Sequence, residues 1–361
     1  MNACLIGDNL TSLALAKVLT NKKIKVFLYH ERKTKYKIRT RTIGISKSNL
    51  KFFNNEIIQL KKNATWKINQ IEIYNENIHN EKILNFKDNK DHLFSIVKND
   101  YLYKLLNNSL NKNFLFKKIL IKNNLFYKKI LKNKNYDLII NCERRNKISK
   151  DYFFKKIIKS YNSKAYTGIL KHKNCINKKA IQIFTKFGPL AFLPFSKNKT
   201  SIVFSIDNKQ LLTEEQIKKI ILKNNINYKI QSITNLEKFD LNFSFNRQYY
   251  YKNILLFGDS LHQIHPLAGQ GFNMTLRDLN ILSKLIDKKL NLGLKVDNYI
   301  YKEFEDTTKH LNYIFSTGID FIYEFFNFKD KIYLSKLIRY LGKNKFFNKI
   351  FKRSADRGII I

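Results

Sequence analysis

Apolar residues change period several times along the chain, and each change marks an element. Asn2-Ala3-Cys4-Leu5-Ile6 is a short apolar run ending at Gly7. Leu13, Leu15, Ala16, Val18 and Leu19 then form one helical face, and Lys25-Val26-Phe27-Leu28-Tyr29 is a second strand ending at His30-Glu31. Strand, helix and strand in this order predict a β–α–β unit. Ile68, Ile71 and Ile73 alternate with polar residues between Lys67 and Tyr74, which predicts a sheet strand. Successive strands are expected over Ala165–Lys171, Ala180–Thr185, Leu190–Pro194 and Thr200–Ile206. Asn253–Phe257 reads as a buried strand ending at Gly258. From Asn273 onward Met274, Leu276, Leu279, Leu282, Leu285 and Ile286 recur at helical spacing. In the tail, Leu311, Ile314, Phe315, Ile319, Ile322 and Phe326 do the same.

Composition sharpens one stretch. Only 11 Gly and 3 Pro occur in 361 residues, yet Gly258, Pro266, Gly269 and Gly271 fall in one short run. Pro189 and Pro194 bracket a second run beginning at Gly188. Glycines and prolines that persist in a chain otherwise rich in Lys, Asn, Ile, Leu, Phe and Tyr mark places where the backbone needs them. A glycine-rich loop feeding a helix N-terminus offers free N–H groups to a negatively charged group. A plain strand–loop–helix corner would leave the same trace.

The formal net charge is +40, from Lys+Arg 68 against Asp+Glu 28. Such a field attracts nucleic acid, anionic lipid and acidic proteins alike. No helix-turn-helix, zinc-finger or RNA-binding-sheet motif accompanies it, so no nucleic-acid partner is expected. Cys4, Cys142 and Cys175 have no CxxC spacing, which argues for a reducing compartment and against a disulfide framework. No apolar run has the roughly 18 residues of a membrane span, and the first residues enter a strand directly, so no signal peptide is expected. His262 and His265 lack a third ligand and a helix frame, so no metal is expected and both are read as fixing their loop by hydrogen bonds. Ser260 lacks the G-x-S-x-G setting of a hydrolase elbow.

The segment GDSLHQIHPLAGQGFNMTLRD resembles the G-[DN]-A-A-H-x-x-x-P-x-x-G-Q-G-x-N-x-x-x-x-D signature of flavin-dependent aromatic hydroxylases. It is most similar to the branch that hydroxylates polyprenyl-phenol precursors of ubiquinone. The resemblance implies that Asp259 meets the ribityl–pyrophosphate region of FAD. It also implies that Pro266 and Gly269-Gln270-Gly271-Phe272-Asn273 lie by the flavin ring. Gly7, Asn9 and Ser12 occupy the dinucleotide fingerprint, with Asn9 and Ser12 replacing its second and third glycines. Asn tolerates a left-handed backbone and Ser is small, so the geometry can survive. Glu31 stands where an acid binds the adenosine ribose. Arg41, in Arg39-Thr40-Arg41-Thr42-Ile43-Gly44-Ile45-Ser46, matches the Arg of the family's R-x-[IL]-[AG]-[IL]-S run near the cofactor. The second FAD motif departs badly: Glu143, Arg144 and Lys147 replace its Asp, Gly and Ser; in a separate run, Ser95 to Leu102, which resembles the family's I-V-E-N-R-x-L, Asp100 replaces the Arg. Arg144 could still offer charge to a phosphate.

The resemblance runs from Ala3 to about Gly358. It implies an α/β fold in which a Rossmann-like FAD-binding domain of the p-hydroxybenzoate hydroxylase type interweaves with a mixed-sheet substrate domain. The FAD-binding parts are expected at 1–65, 93–160 and 248–295. Substrate-domain parts are expected at 66–92 and 161–247, and a C-terminal helical segment at 296–361. The implied activity is hydroxylation of a polyprenylated phenol through a flavin C4a-hydroperoxide, with O2 and with NAD(P)H or a small electron-transfer protein as reductant. The implied setting is cytoplasmic, peripheral on the inner face of the inner membrane, with a ubiquinone-synthesis complex as a partner. Three other readings stand beside it: a related flavin epoxidase or reductase, a catalytically impaired scaffold, and a basic nucleic-acid binder.

Overall fold

The computed structural model describes residues 1–31, 41–76, 81–89, 91–123, 125–266, 269–327 and 353–358. Arg39 and Thr40 of the arginine run, Leu267 and Ala268 of the signature, and residues 328–352 of the tail lie outside the described residues.

Two large sheets organise the chain. The first has six strands in the order Tyr250–Tyr251, Ile254–Leu256, Leu138–Asn141, Asn2–Ile6, Lys25–His30 and Phe116–Leu120. Its strands are parallel except for the terminal Tyr250–Tyr251 hairpin. A parallel sheet is buried on both faces, which accounts for the continuous apolar runs of these strands. Leu5, Val26, Leu28 and Ile140 are all buried. The second sheet has nine strands, drawn from Gln70–Lys87, Lys156–Asn246 and His262–Gln263. It is mixed: Lys179–Thr185 runs parallel to Gln70–Asn75 and antiparallel to Gly188–Ser196. A small three-stranded sheet, Thr42–Ser46, Phe94–Lys98 and Trp66–Ile68, packs against the strand Gly188–Ser196 of the second sheet. The helix Gln270–Asn291 packs on the helix Leu10–Asn21, the turn Gly258–Ser260 and the strand Thr42–Ser46.

Several elements differ from their sequence-based bounds. The strand expected at 165–171 runs from Lys156 to His172, with a register shift between Ser160 and Ser163 where Asn162 takes φ 48. A bulge allows alternation to resume on the same face after a polar interruption. Lys67 to Tyr74 is two strands, Trp66–Ile68 and Gln70–Asn75, in different sheets. The helix expected from Asn273 starts at Gln270. The tail helix Ile300–Asn327 forms, but its buried face is shifted from the apolar stripe. Thr308, Asn312 and Ser316 are buried while Ile314 and Ile322 are exposed. Thr308 and Asn312 fit there because Thr308 bonds back to the carbonyl of Phe304 at 2.6 Å and Asn312 reaches Asp278 at 2.8 Å, while Ser316 Oγ has no partner among the described residues.

Candidate cofactor and substrate site

The N-terminus of the helix Leu10–Asn21 sits over the parallel sheet, at the dinucleotide fingerprint. Gly7 has φ 112 and donates to the Tyr29 carbonyl at 2.8 Å. A Cβ there would meet Glu143 Cβ at 3.1 Å, so only glycine lets the first loop pass the Cys142-Glu143 backbone so closely. Asn9 does not take the left-handed conformation suggested by its replacement of a glycine. It is extended, φ -137 and ψ 175, because it caps the helix. Its Oδ1 accepts from Ser12 N at 3.0 Å, Ser12 Oγ accepts from Asn9 N at 3.1 Å, and Asn9 Nδ2 donates to the Cys142 carbonyl at 2.8 Å. This capping box occupies two N–H groups that a phosphate would otherwise meet.

Around that terminus stand Arg144, Asp259, Glu143 and Glu31. Burial pushes the Arg144 guanidinium down, Arg145 adds to this, and Asp259 and Glu143 oppose it. Asp259 is exposed, on the turn after the strand Ile254–Leu256. Gly258 before it, at φ 65, lies against Thr11, where a Cβ would come within 2.5 Å of Thr11 Cγ2. Glu31 ends its strand exposed, and its carboxylate accepts from Tyr127 Oη at 2.7 Å. Burial, then that carboxylate, pushes the Tyr127 phenol up.

The glycine loop forms the other end. Gly269 is the N-cap of the helix Gln270–Asn291, left-handed at φ 63, and packs on Gly44 at 3.6 Å from where a Cβ would stand. Gly271 is inside the helix, so its backbone needs no glycine; a Cβ there would meet nothing within 4 Å. Gln270 is buried, and its Oε1 has no partner among the described residues. Phe272 is half-buried against the core. Asn273 has a full set of protein partners: Nδ2 donates to Gly44 O at 2.9 Å and Gly269 O at 3.3 Å, while Oδ1 accepts from Ser46 N at 2.9 Å and Asn49 Nδ2 at 3.0 Å. An amide has two donors and an acceptor with two lone pairs, so this side chain fixes the loop and has no bond left for a ligand. Arg41 is exposed at the entry to Thr42–Ser46, the strand that Asn273 grips.

The two histidines part ways. His262 Nε2 pairs with Asp278 Oδ2 at 2.7 Å, and Asn312 donates to the other carboxylate oxygen, which ties the loop to both C-terminal helices. His265 makes no such bond; its two ring nitrogens are buried without partners among the described residues. Its ring packs against both Tyr161 and Tyr323, so aromatic contact holds it instead of hydrogen bonding. His265 and Pro266 face Gln182, Pro189, Ala191, Val203 and Ser205 across a slot of about 10 Å3. Those five residues share one face of the nine-stranded sheet, since they sit at alternate or paired strand positions.

Sequence reading missed Gly44, Asn49, Asp278, Tyr161 and Tyr323. Asp278 closes the quoted signature and Gly44 sits in the quoted run after Arg41, so these two had a signal; Asn49, Tyr161 and Tyr323 have none, because only the fold brings them to the loop. Among the described residues no cluster of three metal-ligating side chains occurs.

The residues present fit FAD at the ring end. There the first-turn N–H groups of Gln270, Gly271 and Phe272 have no intrahelical acceptor, Gly271 leaves open space, and Gln270 Oε1 is orphaned. At the pyrophosphate end the N–H groups of Leu10 and Thr11 and the Arg144 side chain remain for a phosphate beside the capping box.

Comparison with known proteins bears on the same residues. Residues 177–291 match the family model of the FAD binding domain. The 3-demethoxyubiquinol 3-hydroxylase of Escherichia coli (strain K12) is 31% identical over 154 residues, 40% of this chain and 39% of that protein. The mitochondrial ubiquinone biosynthesis monooxygenase of Dictyostelium discoideum is 26% identical over 183 residues, 40% of this chain and 37% of that protein. The chain thus aligns with about two-fifths of the length of these curated relatives. Among solved structures, p-nitrophenol 4-monooxygenase from Pseudomonas putida DLL-E4 superposes with a TM-score of 0.77 at 8% identity, covering 99% of this chain and 98% of that one. HpxO of Klebsiella pneumoniae complexed with FAD gives a TM-score of 0.72 at 10% identity, covering 97% of each chain. At such identities the likeness is one of fold.

Proposed function

We propose, starting from a chain that carries an FAD binding domain, is related in sequence to ubiquinone hydroxylases and has the fold of monooxygenases of the p-hydroxybenzoate hydroxylase type, that it hydroxylates the aromatic ring of a polyprenylated phenol in ubiquinone synthesis. The observation that carries the reading is the glycine loop clamped by Asn273, with His265 and Pro266 before it facing one face of the mixed sheet. FAD bound there would supply the activation of O2, with electrons from NAD(P)H or a small electron-transfer protein. The chain's own residues do the rest. First-turn N–H groups of Gln270, Gly271 and Phe272 face developing negative charge at the ring. Gly271 would admit the ring's close approach, and the apolar side chains of Pro189, Ala191 and Val203, which face His265 and Pro266, would help to keep water out. Gly7, Asn9, Ser12, Glu31, Arg41 and Asp259 would hold the remainder of the cofactor.

One observation favours a second reading, an impaired homologue acting as a scaffold: the capping box closes part of the phosphate-facing helix end. Flavin content separates the two. The enzyme reading expects released FAD, identified by chromatography, and oxygen uptake that depends on an added prenylphenol. It also expects Gly271→Ala to leave the apoprotein as stable as the parent or more so, because a helix position with open space favours alanine. The same variant should bind FAD at least tenfold more weakly. Undiminished FAD binding would remove the glycine loop from the cofactor site.

A further inference from the structure

His265 is 1% exposed, and both of its ring nitrogens are unpaired among the described residues. Unpaired buried polar atoms are rare in native folds and call for a missing partner. The ring cannot turn away to find one. Tyr323 stacks on it at 4.1 Å with the planes 26° apart, and Tyr161 meets it edge-on at 5.1 Å. Those two rings also pack on each other at 4.7 Å, and Tyr323 Oη is tied to Ser163 Oγ at 3.2 Å. Pro266 fixes the backbone directly after it. The slot that His265 shares with Gln182, Ser205 and Pro266 has a volume of about 10 Å3. That is room for one water-sized group. Burial pushes the imidazole down to about 3, so it is neutral near pH 7 and presents one donor and one acceptor.

We propose that His265 is the contact for the substrate's ring hydroxyl: an imidazole nitrogen accepts a hydrogen bond from the phenolic O–H, and Tyr161 and Tyr323 hold the imidazole in place to receive it. This assignment rests on the phenol-hydroxylation reading above. The slot fits a hydroxyl and excludes a ring, so the aromatic carbons stay outside it. A hydrogen bond donated by the phenol raises electron density at the carbons ortho and para to the oxygen. The bond would therefore both orient the ring and make it more reactive toward an electrophilic oxygen, which joins positioning to reactivity.

The test uses FAD-loaded full-length protein, a short-tail prenylphenol, and the methyl ether of the same compound, with binding read from the flavin absorbance. The parent protein should prefer the phenol by about tenfold, the range of one buried hydrogen bond. His265→Phe keeps a stacking ring and removes both nitrogens; it should abolish the preference while FAD affinity stays within twofold. His265→Gln restores hydrogen-bonding capacity and should recover part of the preference, which a purely structural role would not predict. A preference that survives in His265→Phe overturns the assignment alone. A parent protein that binds FAD but neither compound overturns the phenol reading and this assignment with it.

Discussion

Replacing Asn273 tests whether the glycine loop is held by the protein or only by its cofactor. Asn273 is 2% exposed, and all of its amide hydrogen-bonding capacity is used within the protein. Alanine would leave Ser46 N and Gly44 O without partners in a buried setting, while Asn49 keeps a bond to the Asn273 carbonyl at 3.2 Å. Each orphaned buried group costs about 1–3 kcal/mol, so Asn273→Ala should destabilise by roughly 2–6 kcal/mol. That lies below the roughly 5–15 kcal/mol of a typical domain or near its lower edge, so the variant should still fold, with little reserve. Asn273→Asp keeps the acceptor toward Ser46 and Asn49. It removes the donor to Gly44 O and sets a carboxylate beside two carbonyls, so it should be no milder than a single lost bond. Urea midpoints at an unchanged slope give the stability, and fluorescence titration gives FAD affinity. If the clamp reading is right, both variants lose stability in the apoprotein, and FAD affinity falls with it. A loss under about 1 kcal/mol for Asn273→Ala, together with weakened FAD binding, would refute the clamp and make the side chain a direct cofactor ligand.

At the other end of the site, Asn9→Gly should cost a few tenths of a kcal/mol for the cap and about 1–3 kcal/mol for the Cys142 carbonyl left without the Asn9 Nδ2 donor. It frees Ser12 N for a phosphate, so FAD should bind about tenfold tighter; weaker binding would mean that the capping box is part of the cofactor's own frame. Acid should destabilise the protein partly through His265, whose ring is faced by Tyr161 and Tyr323 with Asp320 beyond. Its folded value, pushed down to about 3, lies below the unfolded 6.5, so between these values the unfolded chain binds a proton that the native one does not. Stability is therefore complete above 6.5 and falls as the pH drops toward 3, by about 1 kcal/mol per pH unit. His265→Phe should flatten the urea midpoint between pH 6.5 and 5 relative to the parent; parallel curves would refute it. For a membrane-borne phenol, we expect salt-sensitive flotation with anionic vesicles, driven by the net charge of +40 at about 1 kcal/mol per cation near the surface. Phe321→Ser with Ile322→Ser should weaken it, because both side chains are exposed on the helix Ile300–Asn327. Absence of binding to any vesicle would leave delivery by a partner protein. Among the described residues no helix is long and apolar enough to cross a membrane.

How much of this was legible in the sequence depends on whether a residue works through its neighbours in the chain or through the fold. The strands Asn2–Ile6 and Lys25–His30 and the helix between them are local patterns: the strand bounds come out within a residue of the reading, and the helix Leu10–Asn21 contains the face from Leu13 to Leu19. Gly269 was legible because a left-handed N-cap is a backbone demand that glycine meets. Gly271 looked the same in the sequence but is helical, and its meaning lies in the space beside it, which no pattern records. Asn9 misled for a related reason. It was measured against the glycine it replaces, whereas its side chain makes it a helix cap, a role set by Ser12 three residues on. The tail helix shows the limit most plainly. Apolar spacing placed the helix, but Asp278, 34 residues from Asn312, gives that buried amide a partner on the inward face. The pair of histidines follows the same logic. They lie three residues apart, and a distant carboxylate pairs with Nε2 of one, leaving its Nδ1 without a partner among the described residues, while two tyrosine rings confine the other with neither nitrogen paired. What separates a structural histidine from a ligand-facing one is thus a long-range fact, the presence or absence of Asp278-like support. It is also the fact on which a role for His265 toward substrate depends.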